Sequence, residues 1–148
     1  MKINLLLFLF FTFSAFSQSV VGKWKTIDDE TGQAKSIVEI FEKSGKIYGK
    51  VHEIFDEKHK NDICKECTGE DKNKLIQGMT ILKGLVKDGA EYSNGKIIDP
   101  KNGKTYKCTI SLENKDKLKV RGYIGFALIG RSQYWIRVKS SLSPKAND

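Results

Sequence analysis

The segment from Thr105 to Leu112 alternates without a break. Tyr106, Cys108, Ile110 and Leu112 fall on one side, and Thr105, Lys107, Thr109 and Ser111 on the other. A period of two puts one set of side chains on a dry face and the other in water, which is the pattern of an antiparallel strand wetted on one side. Leu118 and Val120 alternate with Lys117, Lys119 and Arg121 in the same way. Short runs of this kind recur along the chain, at Val20 to Ile27, Ser36 to Phe41, Lys46 to Phe55, Met79 to Lys87, Glu91 to Ile98, Lys104 to Leu112, Lys117 to Gly125 and Ser132 to Lys139. Turn-forming residues separate them: Ser44-Gly45, Asp88-Gly89, Asp99 to Gly103, and Glu113 to Asp116. After the N-terminal segment, no stretch carries a 3.6-residue period.

Sequential strands with short links predict an all-β fold, an eight-stranded antiparallel up-and-down barrel that closes on itself and so removes its edges. A β-sandwich is the alternative. At 148 residues the chain is one domain's worth, and a domain of that size buries a core without disulfide staples.

The first seventeen residues are of another kind. Met1-Lys2 is a positive start, Leu5 to Phe13 is apolar except for Thr12, and Ala15 and Ser17 are small residues where a signal peptidase reads. This three-part layout predicts a cleavable signal peptide over 1–17 and a single domain over 18–148. The apolar run falls short of the roughly 20 residues that span a bilayer, so no integral membrane span is expected in the mature form. The expected location is periplasmic or extracellular. Ser140 to Asp148 reads as a frayed tail.

Net charge is +8, but the basic residues are nearly all Lys, spread along the chain with no run of three; Arg121, Arg131 and Arg137 are the exceptions. Nucleic-acid binding calls for clustered Arg with exposed aromatics, so no nucleic-acid partner is expected. Lysines on solvent faces also discourage edge-to-edge pairing of strands. A monomer is the default oligomeric state.

The long polar segment from Asp56 to Gln77 carries Cys64 and Cys67. In an oxidising compartment this pair predicts a disulfide within the loop. A zinc site, with ligands drawn from Cys108, His52 or His59, and a redox-active pair are the alternatives. Cys108, among the apolar residues of its strand, is expected to be a buried free thiol. Trp24 near the start of the first strand and Arg137 in the last are expected to meet where a barrel closes, the guanidinium lying across the indole and bonding to backbone carbonyls. Gly-x-Ser-x-Gly, His-Glu-x-x-His and phosphate-binding glycine loops are absent from the sequence. No motif implies a catalytic residue, a metal or a cofactor.

Several short motifs follow one another in a fixed order: Gly22-x-Trp24, Gly45-Lys46-x-Tyr48-Gly49, Cys64 and Cys67, Asp99-Pro100-x-x-Gly103-Lys104-x-Tyr106, Val120 to Gly125, Gly130-Arg131-Ser132 and Trp135-x-Arg137. Together they resemble the bacterial exported family called domain of unknown function 2147. The resemblance implies a lipocalin-like (calycin) barrel and a bacterial envelope setting, and no activity. The barrel interior is then either a pocket or a solid core. Three functions follow: binding of a small hydrophobic molecule in or at the mouth of the barrel, a non-enzymatic envelope interaction or maintenance module, or an enzyme or redox protein using the Cys64/Cys67 loop.

Overall fold

A computed structural model describes residues 18–126 and 129–139. The region read as a signal peptide and the Ser140 to Asp148 tail lie outside the described residues. Eight strands follow in order: β1 (Gly22–Ile27), β2 (Ala34–Lys43), β3 (Lys46–Ile54), β4 (Thr80–Asp88), β5 (Glu91–Ile98), β6 (Thr105–Asn114), β7 (Lys117–Tyr123) and β8 (Gly130–Arg137). Each pairs antiparallel with the next, and β8 returns to β1, so the sheet is a closed up-and-down barrel. The alternative of a sandwich is thereby excluded.

Differences from the sequence reading lie at strand ends and have local causes. β2 runs on to Lys43, which pairs with Lys46 across the two-residue turn Ser44-Gly45. Both turn residues have positive φ, 51° and 74°, the conformation that matches the twist of a hairpin. β7 stops at Tyr123 rather than Gly125, where a φ of 64° leaves the extended region. Val20 and Val21 precede β1 instead of belonging to it.

Facing partners across a sheet share a side, so the register sorts the walls. Leu82, Ile97 and Tyr106 form one inward row, and Cys108, Gly122 and Arg131 another. Ile110, Val120 and Gln133 form a third, and Leu112, Leu118 and Trp135 a fourth. Trp24, Val38, Leu82, Leu85, Cys108 and Leu118 are all at 0 % exposure. The walls of a void able to admit a water would carry accessible surface, and these carry none. The lower barrel is therefore packed solid, as eight-stranded barrels commonly are. Burial pushes the Cys108 thiol up to about 12, which leaves it protonated and inert near neutral pH.

The segment between β3 and β4 is held against the outside of the barrel. Ile81 and Ile98 each adjoin an inward residue and so face outward, yet both are buried. The loop covers them. It contains two short 3-10 turns, Glu57–His59 and Gly69–Asp71, and one bridge between Ile63 and Leu75. Cys64 and Cys67 are disulfide-bonded and buried. Cys64 Sγ lies 3.4 Å from the Pro100 carbonyl in the β5–β6 turn. Gly103 in that turn sits so close that a Cβ there would fall 2.0 Å from the Glu66 carbonyl oxygen. Asp71 completes the clasp by accepting hydrogen bonds from Lys83 on β4 and from Lys74.

Partial burial raises the Asp71 carboxyl, but the bonds from Lys83 and Lys74 outweigh it and hold the group below its ordinary 3.8. A carboxyl depressed in the folded state contributes fully above its unfolded value and loses that contribution as pH falls through its folded value. The clasp should therefore hold near neutral pH and loosen below about pH 3.8. Asp71→Asn should reproduce the loosening at neutral pH, seen as faster amide exchange between Cys64 and Leu75. Because exposed ion pairs contribute at most about 1 kcal/mol, the melting temperature of the barrel should barely move. Unchanged exchange in the loop would contradict the assignment.

Candidate functional site

The two ends of the barrel differ. At the end where the chain enters, the β1–β8 seam is short, with register pairs Trp24↔Arg137 and Lys25↔Ile136. Val138 adds a backbone bond to the Lys23 carbonyl at 2.8 Å. The structure brings Trp24 and Arg137 together here: the guanidinium lies over the indole, 4.1 Å from its centroid. Its three nitrogens each find a carbonyl, Nη2 donating to Ser19 at 2.7 Å, Nη1 to Val21 at 3.1 Å, and Nε to Lys115 at 2.6 Å. One side chain thus ties the entering segment, β8 and the β6–β7 turn. The indole N–H of the buried Trp24 donates to Val20 at 2.8 Å, which folds the entering segment under the barrel.

Gly22 makes this possible. Its φ is 134°, and a Cβ there would stand 3.1 Å from Arg137 Nη1. Desolvation lowers the Arg137 pKa below the ordinary guanidinium value, yet the group remains a cation at any physiological pH. Every contact described here is internal to the chain, and the chemistry is that of a plug.

At the other end the inward faces change character. Thr26 and Ser36 pair across β1 and β2, with their hydroxyls 2.7 Å apart. Ile97, Tyr106, Gly122 and Gln133 are half-buried and not sealed. On the rim Arg131 pairs with Asp29 of the β1–β2 loop, and Gln133 donates to the same carboxylate at 3.3 Å. Beside it, Lys35 and the Thr31 backbone hold the Asp28 carboxyl well below the usual range. The inward faces at this mouth are thus of mixed polarity, with fixed charges on the rim. The sequence reading missed these residues. Asp29 and Arg131 lie far apart in the chain, and no local pattern joins them.

Two open depressions lie on the outside. One, of about 330 Å³, borders Phe41, Tyr48, Lys43 and Lys83. The other, of about 340 Å³, lies at the plugged end beside Val21, Asp116 and Arg137. Among the described residues no three His, Cys, Asp or Glu side chains converge as a metal site would require. His52 faces Lys23 and Glu39, and His59 faces Asp56 and Asp62.

The plug generates a stability prediction. Stacking of a guanidinium on an indole is worth about 0.5–2 kcal/mol, and a hydrogen bond from a charged donor about 1.5 kcal/mol or more. Arg137→Ala should fold but lose about 2–3 kcal/mol, a fall of roughly 10 °C in Tm. Arg137→Lys should recover less than half of that, since one ammonium cannot serve three separated carbonyls and a ring. Calorimetry on the three proteins checks this; an Arg137→Ala protein as stable as the parent would show that the plug contributes nothing.

A family model described as "Uncharacterized protein conserved in bacteria" (DUF2147) matches residues 22–137. No curated protein sequence matches the chain. Among solved structures, one described as protein HP1028 from the human pathogen Helicobacter pylori, belonging to the lipocalin family, is similar with a TM-score of 0.72. The similarity covers 82% of this chain and 84% of that one at 23% identity, so what the two share is the lipocalin-like barrel. The family match begins at the glycine that admits Arg137 and ends at Arg137 itself, and the chain belongs to this bacterial family of domain of unknown function 2147.

Proposed function

We propose that this is an exported binding protein that takes a small, largely hydrophobic molecule at the mouth of its barrel rather than in its interior. The observation that carries the reading is the change along the inward walls. Below, the rows are sealed; at the mouth, Ile97 and Tyr106 offer a half-open apolar surface next to Gln133 and the Arg131–Asp29 pair. Small-molecule sites are typically apolar surfaces with a few fixed polar groups that set orientation. This mouth suits a ligand that lays its apolar part on Ile97 and Tyr106 and turns a polar group toward Gln133 and Arg131. Export is supported by the apolar N-terminal run and by the Cys64–Cys67 disulfide, a bond that persists in oxidising compartments.

A second reading, an envelope interaction module, has its own support. Ile124, Phe126 and Ile129 in the β7–β8 loop are exposed, more apolar surface than a lone carrier needs at one loop tip.

Gly122 provides the test of the first reading. A Cβ at this position would meet Ile97 at 3.4 Å and Tyr106 at 3.6 Å, ordinary contact distances. Gly122→Leu should therefore fold and cover the half-open surface of Ile97 and Tyr106. Native mass spectrometry of the protein purified from its own cell envelope should show a mature chain lacking residues 1–17 with a small molecule bound. Gly122→Leu should carry none. An empty parent, or the same molecule retained by Gly122→Leu, would overturn the proposal.

A further inference from the structure

Some of the lysines that are dispersed in the sequence come together on the barrel. Alternation sends them outward, and register lines them up. Lys83, Lys96 and Lys107 stand directly opposite one another on β4, β5 and β6, and Lys107 faces Tyr123 at the base of the β7–β8 loop. Farther down the same outer wall, Lys119 faces Tyr134 and Lys117 faces Ile136. Like charges placed opposite one another in a sheet are unfavourable, and Lys83 is relieved by Asp71 from the loop. On β5 and β6 the carboxylates are Glu91 and Glu113, toward the plugged end and away from Lys96 and Lys107. Tyr92 to Ile98, Thr105 to Leu112, Lys117 to Tyr123 and Gly130 to Arg137 contain no Asp or Glu. Glu39, Glu42 and Glu53 sit on β2 and β3, and Asp28, Asp29 and Glu30 lie in the β1–β2 loop.

The loop that rises from this wall is apolar. Ile124 donates its N–H to the Ile129 carbonyl at 3.0 Å, and Ile129 to Phe126 at 3.1 Å, so the backbone is tied across the loop base. Ile124, Phe126 and Ile129 are 60, 86 and 71% exposed. Tyr134 and Ile136 on the wall are also partly exposed, and the Lys117 ammonium lies 4.5 Å from the Tyr134 ring centroid. An apolar tip that continues into a basic wall with interfacial tyrosines has the composition that seats a protein in the headgroup region of an anionic bilayer.

We propose that the outer wall of β5–β7 and the exposed Ile124, Phe126 and Ile129 beyond it form a peripheral docking surface for an anionic lipid bilayer, with Phe126 entering the acyl boundary and Lys96 and Lys107 meeting the headgroups. Charge complementarity selects this occupant: a partner protein with an apolar socket would account for Phe126 and leave the row of lysines without a counterpart. The inference does not depend on the mouth ligand, although the surface it uses adjoins the mouth.

The test is sedimentation of the mature protein with vesicles. Phosphatidylcholine vesicles doped with phosphatidylglycerol should carry the protein down, pure phosphatidylcholine vesicles should not, and added salt should release it. Phe126→Ser, and separately Lys96→Glu with Lys107→Glu, should each weaken binding about tenfold or more. All three are exposed, so folding is checked simply by circular dichroism. Gly122→Leu should bind vesicles as the parent does, even if it loses the mouth ligand, which separates the failure of one proposal from the failure of the other. Three results would overturn this one: no binding to the anionic vesicles, binding undiminished by either variant, or retention on a soluble polyanion that depends on the lysines with no vesicle binding.

Discussion

A barrel must close, and here it closes at its weakest seam. The other adjacent strands share more register pairs than β1 and β8, which share two. Arg137 offsets that shortage. It lies on the Trp24 ring and satisfies carbonyls of the entering segment and the β6–β7 turn that no ladder reaches. Each of these bonds comes from a charged donor, which makes it stronger than one between neutral groups. The requirement propagates outward: Gly22 must lack a side chain, Trp24 must face in, and Val20 must lie beneath it.

Closure at one end assigns the other end to any function. With the lower rows sealed, the interior offers no chamber, and the family's lipocalin-like barrel here differs from an open carrier by its own side chains. At this end the accessible features are the mouth, the apolar β7–β8 residues beside it, and the basic wall below them. These three features are contiguous. A protein that sits on a bilayer by its loop tip would hold its mouth near the surface from which an apolar ligand could enter.

The strands were most legible where a wet side alternates with a dry one, and Thr105 to Leu112 shows why: the period of two is complete. The disulfide pairing was legible in part, since the two cysteines lie in one loop and zinc would have needed ligands that the fold keeps apart. Cys108 faces the core with Ile110, as its alternation implied. Other features were out of reach. The clasp between Asp71 and Lys83 joins a loop to the outer face of a strand, and Asp29 and Arg131 meet only because β8 returns to β1. The basic wall is the clearest case. The lysines look evenly spread in one dimension, and only the register of β4 to β7 turns them into a row.

The central claim is that one cation–indole pair closes the barrel, and a double-mutant cycle on Trp24 and Arg137 tests it most directly. Trp24→Leu keeps an apolar side chain in place while removing the ring, and Arg137→Ala removes the cation. Denaturant unfolding of the parent, both single variants and the double variant gives the coupling between them. The account predicts a coupling of about 0.5–2 kcal/mol, in the range of residues in direct contact. Effects that add to within about 0.3 kcal/mol would mean that the two side chains act independently and that closure rests on something else.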